Sequence, residues 1–138
     1  MPKKVYLTRR ETFAAAHRLF KAELSDKENF EFFGKCSNPN WHGHNYILEV
    51  TVFGEVDSET GFVLDIKKLK DIILEYVISK VDHKNLNVDT DFMKGIIPTS
   101  ENITIAVWKQ FADKIPGGKL YSIKLYETEN NYFEYKGD

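Results

Sequence analysis

Two N-terminal segments show the patterns expected of half-buried β-strands. Residues 44–53 alternate between apolar and polar, so one face carries His44, Tyr46, Leu48, Val50 and Val52. Residues 5–17 are rich in Val, Tyr, Leu, Thr and Phe and contain neither Gly nor Pro, which predicts a first strand. The turn-forming run 57–61 predicts a hairpin after the second strand, with a further strand ending near Leu64.

Two later segments repeat their apolar residues at three- and four-residue spacing, as amphipathic helices do. Asp65 is the predicted N-cap of the first helix, which runs to about Val81. The second helix begins at 98–101, a hydroxyl cap with an acidic first turn, and ends before Pro116. Residues 19–40 predict a long connection with at most one short helix.

Residues 120–135 complete the pattern with two strands around a turn at 129–131. The resulting order ββααββ predicts an α+β fold: a four-stranded antiparallel sheet with two helices on one face. Such a sheet has two unpaired edges, so we expect it to pair with other subunits.

Composition narrows the class of protein. The 138 residues are 42% hydrophobic and 29% charged, with no repeat or linker, so we expect one domain spanning residues 1–138. The net charge of -2 gives no global field for nucleic acid or an anionic membrane. No apolar run approaches the ~20 residues of a membrane-spanning helix, and no signal peptide is recognisable, so we expect a cytoplasmic protein. The single cysteine fits a reducing compartment.

The histidines are the first candidates for chemistry. His42 and His44 flank Gly43 at the start of a strand, where residues two apart point to the same side. His17 ends the first strand and could add a third nitrogen if the strands pair. Three imidazoles with an open fourth position are typical of catalytic zinc. The alternative is that the histidines are structural and simply hydrogen-bonded.

Cys36 and the pair Asp82–His83 lie in polar surroundings. An adjacent lysine and a nearby metal would favour the thiolate, making Cys36 a candidate base or nucleophile, whereas a free cysteine is more commonly a small core residue. His83 near a helix C-terminus is explained by the helix dipole, but Asp82 is not. An aspartate there could orient a proton-transferring histidine.

Glu127 shares the apolar phase of its strand, so its carboxylate must face a pocket or be paired. There it could receive a ligand that presents two parallel N–H donors; the alternative is a frayed strand end in water. Glu101, in the first turn of the second helix, could line the same pocket or be a surface residue favoured by the helix dipole.

Five motifs occur in an order and spacing that resemble the 6-pyruvoyl tetrahydropterin synthase family over essentially the whole chain. They are Cys36, His42–Tyr46, Asp82–His83, Pro98–Asn102 and Tyr126–Thr128. In addition, residues 13–18 look like the family's first zinc-ligand segment and residues 132–137 like its closing strand. The resemblance implies the tunnelling fold: ββααββ subunits joined into a trimeric barrel, and two trimers forming a homohexamer with active sites at subunit interfaces.

The resemblance also implies roles for particular residues. The implied zinc ligands are His17, His42 and His44. Cys36 would abstract protons, assisted by Asp82 and His83, which a neighbouring subunit is able to contribute. Glu127 would hold the 2-amino-pyrimidinone edge of a pterin and join the proton relay. Further substrate-binding residues implied nearby are Thr99 and Glu101.

The reaction implied is a lyase reaction, converting 7,8-dihydroneopterin triphosphate into 6-pyruvoyl tetrahydropterin with release of triphosphate. Zinc would acidify the adjacent C–H bonds, and no redox cofactor is needed. Magnesium assistance is left open. The anionic leaving group requires basic residues despite the negative net charge, and the candidates are Arg9, Arg10, Arg18 and Lys35.

One departure and two alternatives remain. Trp41 stands where members of this family commonly have a small residue, which questions substrate preference and the shape of the pocket mouth. Within the family, the alternative activity is 6-carboxytetrahydropterin synthase of queuosine biosynthesis; the long stretch between His17 and Cys36 favours the pyruvoyl enzyme. The alternative outside enzymology is a non-catalytic zinc- or pterin-binding module.

Overall fold

A mixed five-stranded sheet, in the order β3-β1-β2-β4-β5, organises the computed structural model, which describes residues 3–138. Its strands are β1 (Lys4–His17), β2 (His42–Glu55), β3 (Lys84–Asn85), β4 (Lys119–Thr128) and β5 (Asn131–Tyr135). Three neighbouring pairs are antiparallel, and β3 alone runs parallel to its neighbour β1. The long β1–β2 pair stays in register from end to end, which matters because both strands carry histidines.

Three main α-helices in the described residues accompany the sheet: α1 (Asp26–Phe33), α2 (Ile66–Ile73) and α3 (Ser100–Phe111). Helix α2 continues through a π-helical turn, Leu74–Ile78, and a last α-helical turn, Ser79–Val81. The predicted caps are confirmed, since the Asp65 carboxylate accepts from the Lys67 N–H and the Thr99 hydroxyl from the Asn102 N–H. A capping box at Ser25 starts α1, the short helix expected in the long connection.

The core lies between the helices and one face of the sheet. Alternate residues of β2, from Tyr46 to Val52, are fully buried, as their pattern predicts. They belong to one apolar cluster with Leu69 of α2, Ile103 of α3 and Leu125 of β4. This cluster packs the sheet against α2 and α3. It leaves the end of β1 and the start of β2 free to carry polar groups.

The α+β class is confirmed, but the predicted four-stranded antiparallel sheet is wrong in one respect. A fifth strand, β3, pairs in parallel with Ala15 and Ala16 of β1. Its two residues, Lys84 and Asn85, are too few to show any alternation in the sequence. No helix within residues 3–138 is long and apolar enough to cross a membrane.

The predicted hairpin after β2 is also wrong. The turn itself forms, since the Asp57 carboxylate accepts from the N–H groups of Glu59 and Thr60. Residues 62–64 that follow are not a strand, because the chain must reach the helix cap at Asp65 within three residues of Phe62. The partners of β2 are β1 and β4 instead.

Candidate active site

Three histidines meet where β1 ends and β2 begins. His17 pairs directly with His42 in the antiparallel register, and His44 pairs with Ala15. Side chains that are opposite or two residues apart share a face of the sheet, so all three rings point to the helix side. One nitrogen of each ring lies within 4.8 Å of those of the other two. The predicted convergence of the three imidazoles is therefore confirmed.

The protonation state of two of the three histidines suits a metal. His17 is 1% exposed, and its Nδ1 donates to the Pro98 carbonyl oxygen at 2.8 Å, which leaves Nε2 as a lone-pair donor. Burial lowers the pKa of His17 and of His42, so both rings stay neutral, the form that binds metal.

Two nitrogens of the cluster form no hydrogen bond with the described residues, although Glu127 Oε1 lies 3.5 Å from one of them, His44 Nε2. His42 Nδ1 and His44 Nε2 are buried and accept or donate no hydrogen bond there. An unpaired polar atom inside a protein costs about 1–3 kcal/mol, so the two histidines that carry these nitrogens need a partner. A divalent cation that accepts nitrogen ligands satisfies both at once. The cluster thus fits a metal.

Tyr46 forms the floor beneath the histidines. Its ring is fully buried and stacks on Phe13, with centroids 4.8 Å apart. Its hydroxyl lies 3.5 Å from both ring nitrogens of His17. Burial raises the pKa of Tyr46, so the phenol stays neutral beneath the cluster.

Cys36 lies in a cavity next to the histidines. The thiol belongs to a 3₁₀ turn, Gly34–Ser37, that follows α1. Together with His42, His44, Lys35 and Phe30 it lines a cavity of about 540 Å³. Cys36, which is partly exposed, therefore shares a cavity with two of the three clustered histidines.

Glu127 closes the other side of the cluster. Its Oε1 lies 3.5 Å from His44 Nε2, and its Oε2 accepts a hydrogen bond from the Ser100 hydroxyl. The carboxylate thus faces the helix side, as its phase predicts, at the N-terminus of α3. Sequence reasoning missed Ser100, although its place directly after the Thr99 cap fixes it at the start of the helix.

Other expected residues lie around this centre rather than in it. Thr99 uses its hydroxyl to cap α3, and Glu101 is exposed in the first turn. Trp41 has a φ of 68°, in the left-handed region, and its ring packs edge-on against Phe20. It lines a second cavity together with Pro98 and is not among the residues that line the Cys36 cavity.

Within one chain, the structure does not bring Asp82 and His83 to the Cys36 cavity. Asp82 accepts from the Ala14 N–H at 3.0 Å, and this bond lowers the pKa of its carboxyl. His83 lies 3.1 Å from the same carboxylate and is 83% exposed at the edge of the sheet. His83 lines a different cavity, which is also lined by His44.

Of the four basic candidates, Arg10 is exposed on β1, where it pairs with Glu49 of β2. The other three differ in their contacts. Arg9 forms an ion pair with Glu11, and Arg18 forms one with Asp26. Lys35 lines the Cys36 cavity and forms no ion pair among the described residues. Of these three, Lys35 is the cation placed to meet an anionic ligand beside the thiol.

Comparison with known proteins agrees with this geometry. The family model for 6-pyruvoyl tetrahydropterin synthase matches residues 6–138. The human 6-pyruvoyl tetrahydrobiopterin synthase is 45% identical over 132 residues, covering 96% of this chain and 91% of that protein. The Dictyostelium discoideum protein of the same name is 45% identical over 138 residues, 100% of both chains.

A solved structure extends the comparison to three dimensions. The Caenorhabditis elegans 6-pyruvoyl tetrahydropterin synthase matches with a TM-score of 0.91 at 43% identity, over 99% of this chain and 98% of that one. Agreement at this identity, in sequence and in backbone alike, leaves one assignment: the chain belongs to the 6-pyruvoyl tetrahydropterin synthase family.

Proposed function

We propose that this protein is a zinc-dependent lyase that converts 7,8-dihydroneopterin triphosphate into 6-pyruvoyl tetrahydropterin and triphosphate. The observation that carries the proposal is the convergence of His17, His42 and His44 beside a cavity lined by the lone thiol. The relatives named 6-pyruvoyl tetrahydrobiopterin synthase match along nearly the whole length of the chain, which supports the same activity for this protein.

Zinc is the metal that the donor set favours, because three imidazoles without a carboxylate ligand suit a borderline cation with an open fourth position. Bound there, zinc would act as a Lewis acid on the substrate's side-chain oxygens. The Pro98 carbonyl would keep His17 in the tautomer that presents Nε2.

The residues around the metal site would then have separate roles in the reaction. Cys36 would take and return protons at the substrate side chain, from its place on the wall of the same cavity. Glu127 would hold the amino-pyrimidinone edge, because a carboxylate accepts two parallel N–H bonds. The Ser100 hydroxyl, donating to Oε2, would fix the orientation of that carboxylate. Lys35 would offset the charge of the triphosphate.

The remaining elements of the proposal concern assembly. Most of the outer edge of β1 is unpaired among residues 3–138, since β3 covers only Ala15 and Ala16. Pairing of such edges between copies would build the homohexameric barrel of the tunnelling fold, and it would let Asp82 and His83 of one subunit approach the Cys36 cavity of another. A cytoplasmic location is part of the same proposal.

Incubation of the purified protein with dihydroneopterin triphosphate, followed by mass analysis of the product, tests the activity. We expect the pyruvoyl product with equimolar triphosphate, and added magnesium should be tried in parallel. A 6-carboxy product would instead support the 6-carboxytetrahydropterin synthase activity. The absence of any product would support a non-catalytic binding module.

A variant tests the role of the thiol. Cys36→Ala should abolish most turnover while the protein keeps its zinc and still binds pterin. Asn40→Ala, an exposed change in the same connection, is the matched control and should turn over normally. Full turnover by Cys36→Ala would contradict the assignment of Cys36.

A further inference from the structure

Arg18 directly follows the proposed metal ligand His17, and its charged side chain points towards the protein interior. Its side chain is only 12% exposed. Both backbone groups of Arg18 are taken by one side chain, since its N–H donates to Asn87 Oδ1 and its carbonyl accepts from Asn87 Nδ2, each at 2.9 Å. The end of β1 is therefore held in place beyond its last strand pair.

The guanidinium of Arg18 reaches the turn that carries Cys36. Arg18 Nε donates to the Ser37 carbonyl at 3.0 Å, and Ser37 is 1% exposed. The Leu19 N–H donates to the preceding carbonyl, that of Cys36, at 2.8 Å. Two consecutive carbonyls of the 3₁₀ turn are thus bound by two consecutive residues that directly follow the metal ligand.

Two further contacts fix the plane of the guanidinium. Nη2 donates to Asp26 Oδ1 at 2.9 Å, and the guanidinium carbon lies 4.4 Å from the centre of the Phe20 ring. A planar group with several fixed donors can hold a carbonyl and a carboxylate at once and still stack on an aromatic ring. A lysine at this position has one nitrogen and cannot reproduce that arrangement.

We propose that Arg18 is a positioning residue, which holds the Cys36 turn at a fixed distance from the metal-binding end of β1, and that it is not a triphosphate-binding residue. This inference rests on the proposed function, in which Cys36 exchanges protons with a substrate held at the metal. The internal use of the guanidinium explains why Arg18, unlike Lys35, is not among the residues that line the Cys36 cavity.

Arg18→Met is the first test. A displaced turn should lower kcat by about 10–100-fold, since misplacement by about 1 Å costs that much in an enzyme, while KM stays near its original value. The zinc content should not change. A residue that binds the leaving group would instead raise KM and weaken inhibition by inorganic triphosphate.

Alkylation of Cys36 by iodoacetamide provides a readout that needs no substrate. The chain has one cysteine, so the reaction reports on this thiol alone. We expect faster alkylation of zinc-loaded Arg18→Met, because the turn loses a hydrogen bond that restrains it. Lys27→Met, an exposed charge loss beside Asp26, is the matched control and should match the parent protein in both assays.

Two milder variants test the same proposal if Arg18→Met does not fold. Arg18→Lys should change kcat and alkylation in the same direction. Asp26→Asn should do so weakly, because Asp26 is 74% exposed and the buried bond to Ser37 remains. Unchanged alkylation in Arg18→Met and Arg18→Lys, or a rise in KM at constant kcat, would overturn the proposal. Absence of turnover in the parent protein would count against the proposed function only, since alkylation would still report on the turn.

Discussion

Removal of the metal should destabilise the fold by an amount that the histidine cluster allows us to work out. His42 Nδ1 and His44 Nε2 are buried and form no hydrogen bond with the described residues, at about 1–3 kcal/mol each, so together they cost roughly 2–6 kcal/mol when no cation is bound. The thermodynamic linkage between zinc binding and folding gives a similar free energy, because zinc at a thousand times its Kd stabilises the native state by about 4.1 kcal/mol.

For a domain of 138 residues this corresponds to a Tm shift of roughly 15 °C. Thermal unfolding followed by circular dichroism, with zinc and with a chelator, measures it directly. His42→Ala should abolish the metal-dependent part of the shift, while His83→Asn, which changes the exposed histidine outside the cluster, should keep it.

The shift should also depend on pH in a definite direction. In the unfolded chain, imidazoles take up protons below about pH 6.5, whereas burial keeps the pKa of His17 and of His42 below that value in the native protein. The metal-free protein therefore loses stability as the pH falls below about 6.5, and this contribution vanishes above it. Equal Tm values with zinc and with chelator at pH 7.5 would refute the reasoning about the cluster.

Three other changes have clear expected outcomes. Glu127→Gln should weaken pterin binding about 10–100-fold in a fluorescence titration, because one charge-assisted acceptor is lost, with zinc content unchanged. Gly118→Ala should lower the free energy of unfolding by more than about 1 kcal/mol in urea, since φ is +67° and the new Cβ would collide with the Phe53 carbonyl; Gly61→Ala, at φ +77° in open space, should cost less. Phe30→Ala should raise KM, because its ring lines the Cys36 cavity, whereas an equal rise in Phe32→Ala would point to a general effect on α1.

The main elements and the histidine cluster were predictable because each leaves a local signal. Alternation from His44 to Val52 fixes which side of β2 is buried, and the same phase places His42 and His44 together. His17 could be added only on the assumption that β1 and β2 pair, which the register confirms. Burial on one face and short-range spacing therefore accounted for most of the fold.

The features that sequence reasoning missed depend on contacts between distant segments. β3 has two residues and exists because the N–H of His83 and that of Leu86 bond to the backbone of β1. The contact of Ser100 with Glu127 joins residues 27 positions apart and has no local signature. Likewise, the sequence alone allows the side chain of Arg18 to face solvent and bind a phosphate. Only the contact of Arg18 with the Ser37 carbonyl, 19 positions away, shows that it does not.

The direct pairing of His17 with His42 also bears on how the chain reaches its native state. A slip of one residue between β1 and β2 would turn both imidazoles of β2 to the opposite side of the sheet from that of β1. Molecules with misaligned strands could not capture the ion, so metal uptake during refolding would select the correctly aligned population. Metal binding would then favour the native strand register before any substrate binds.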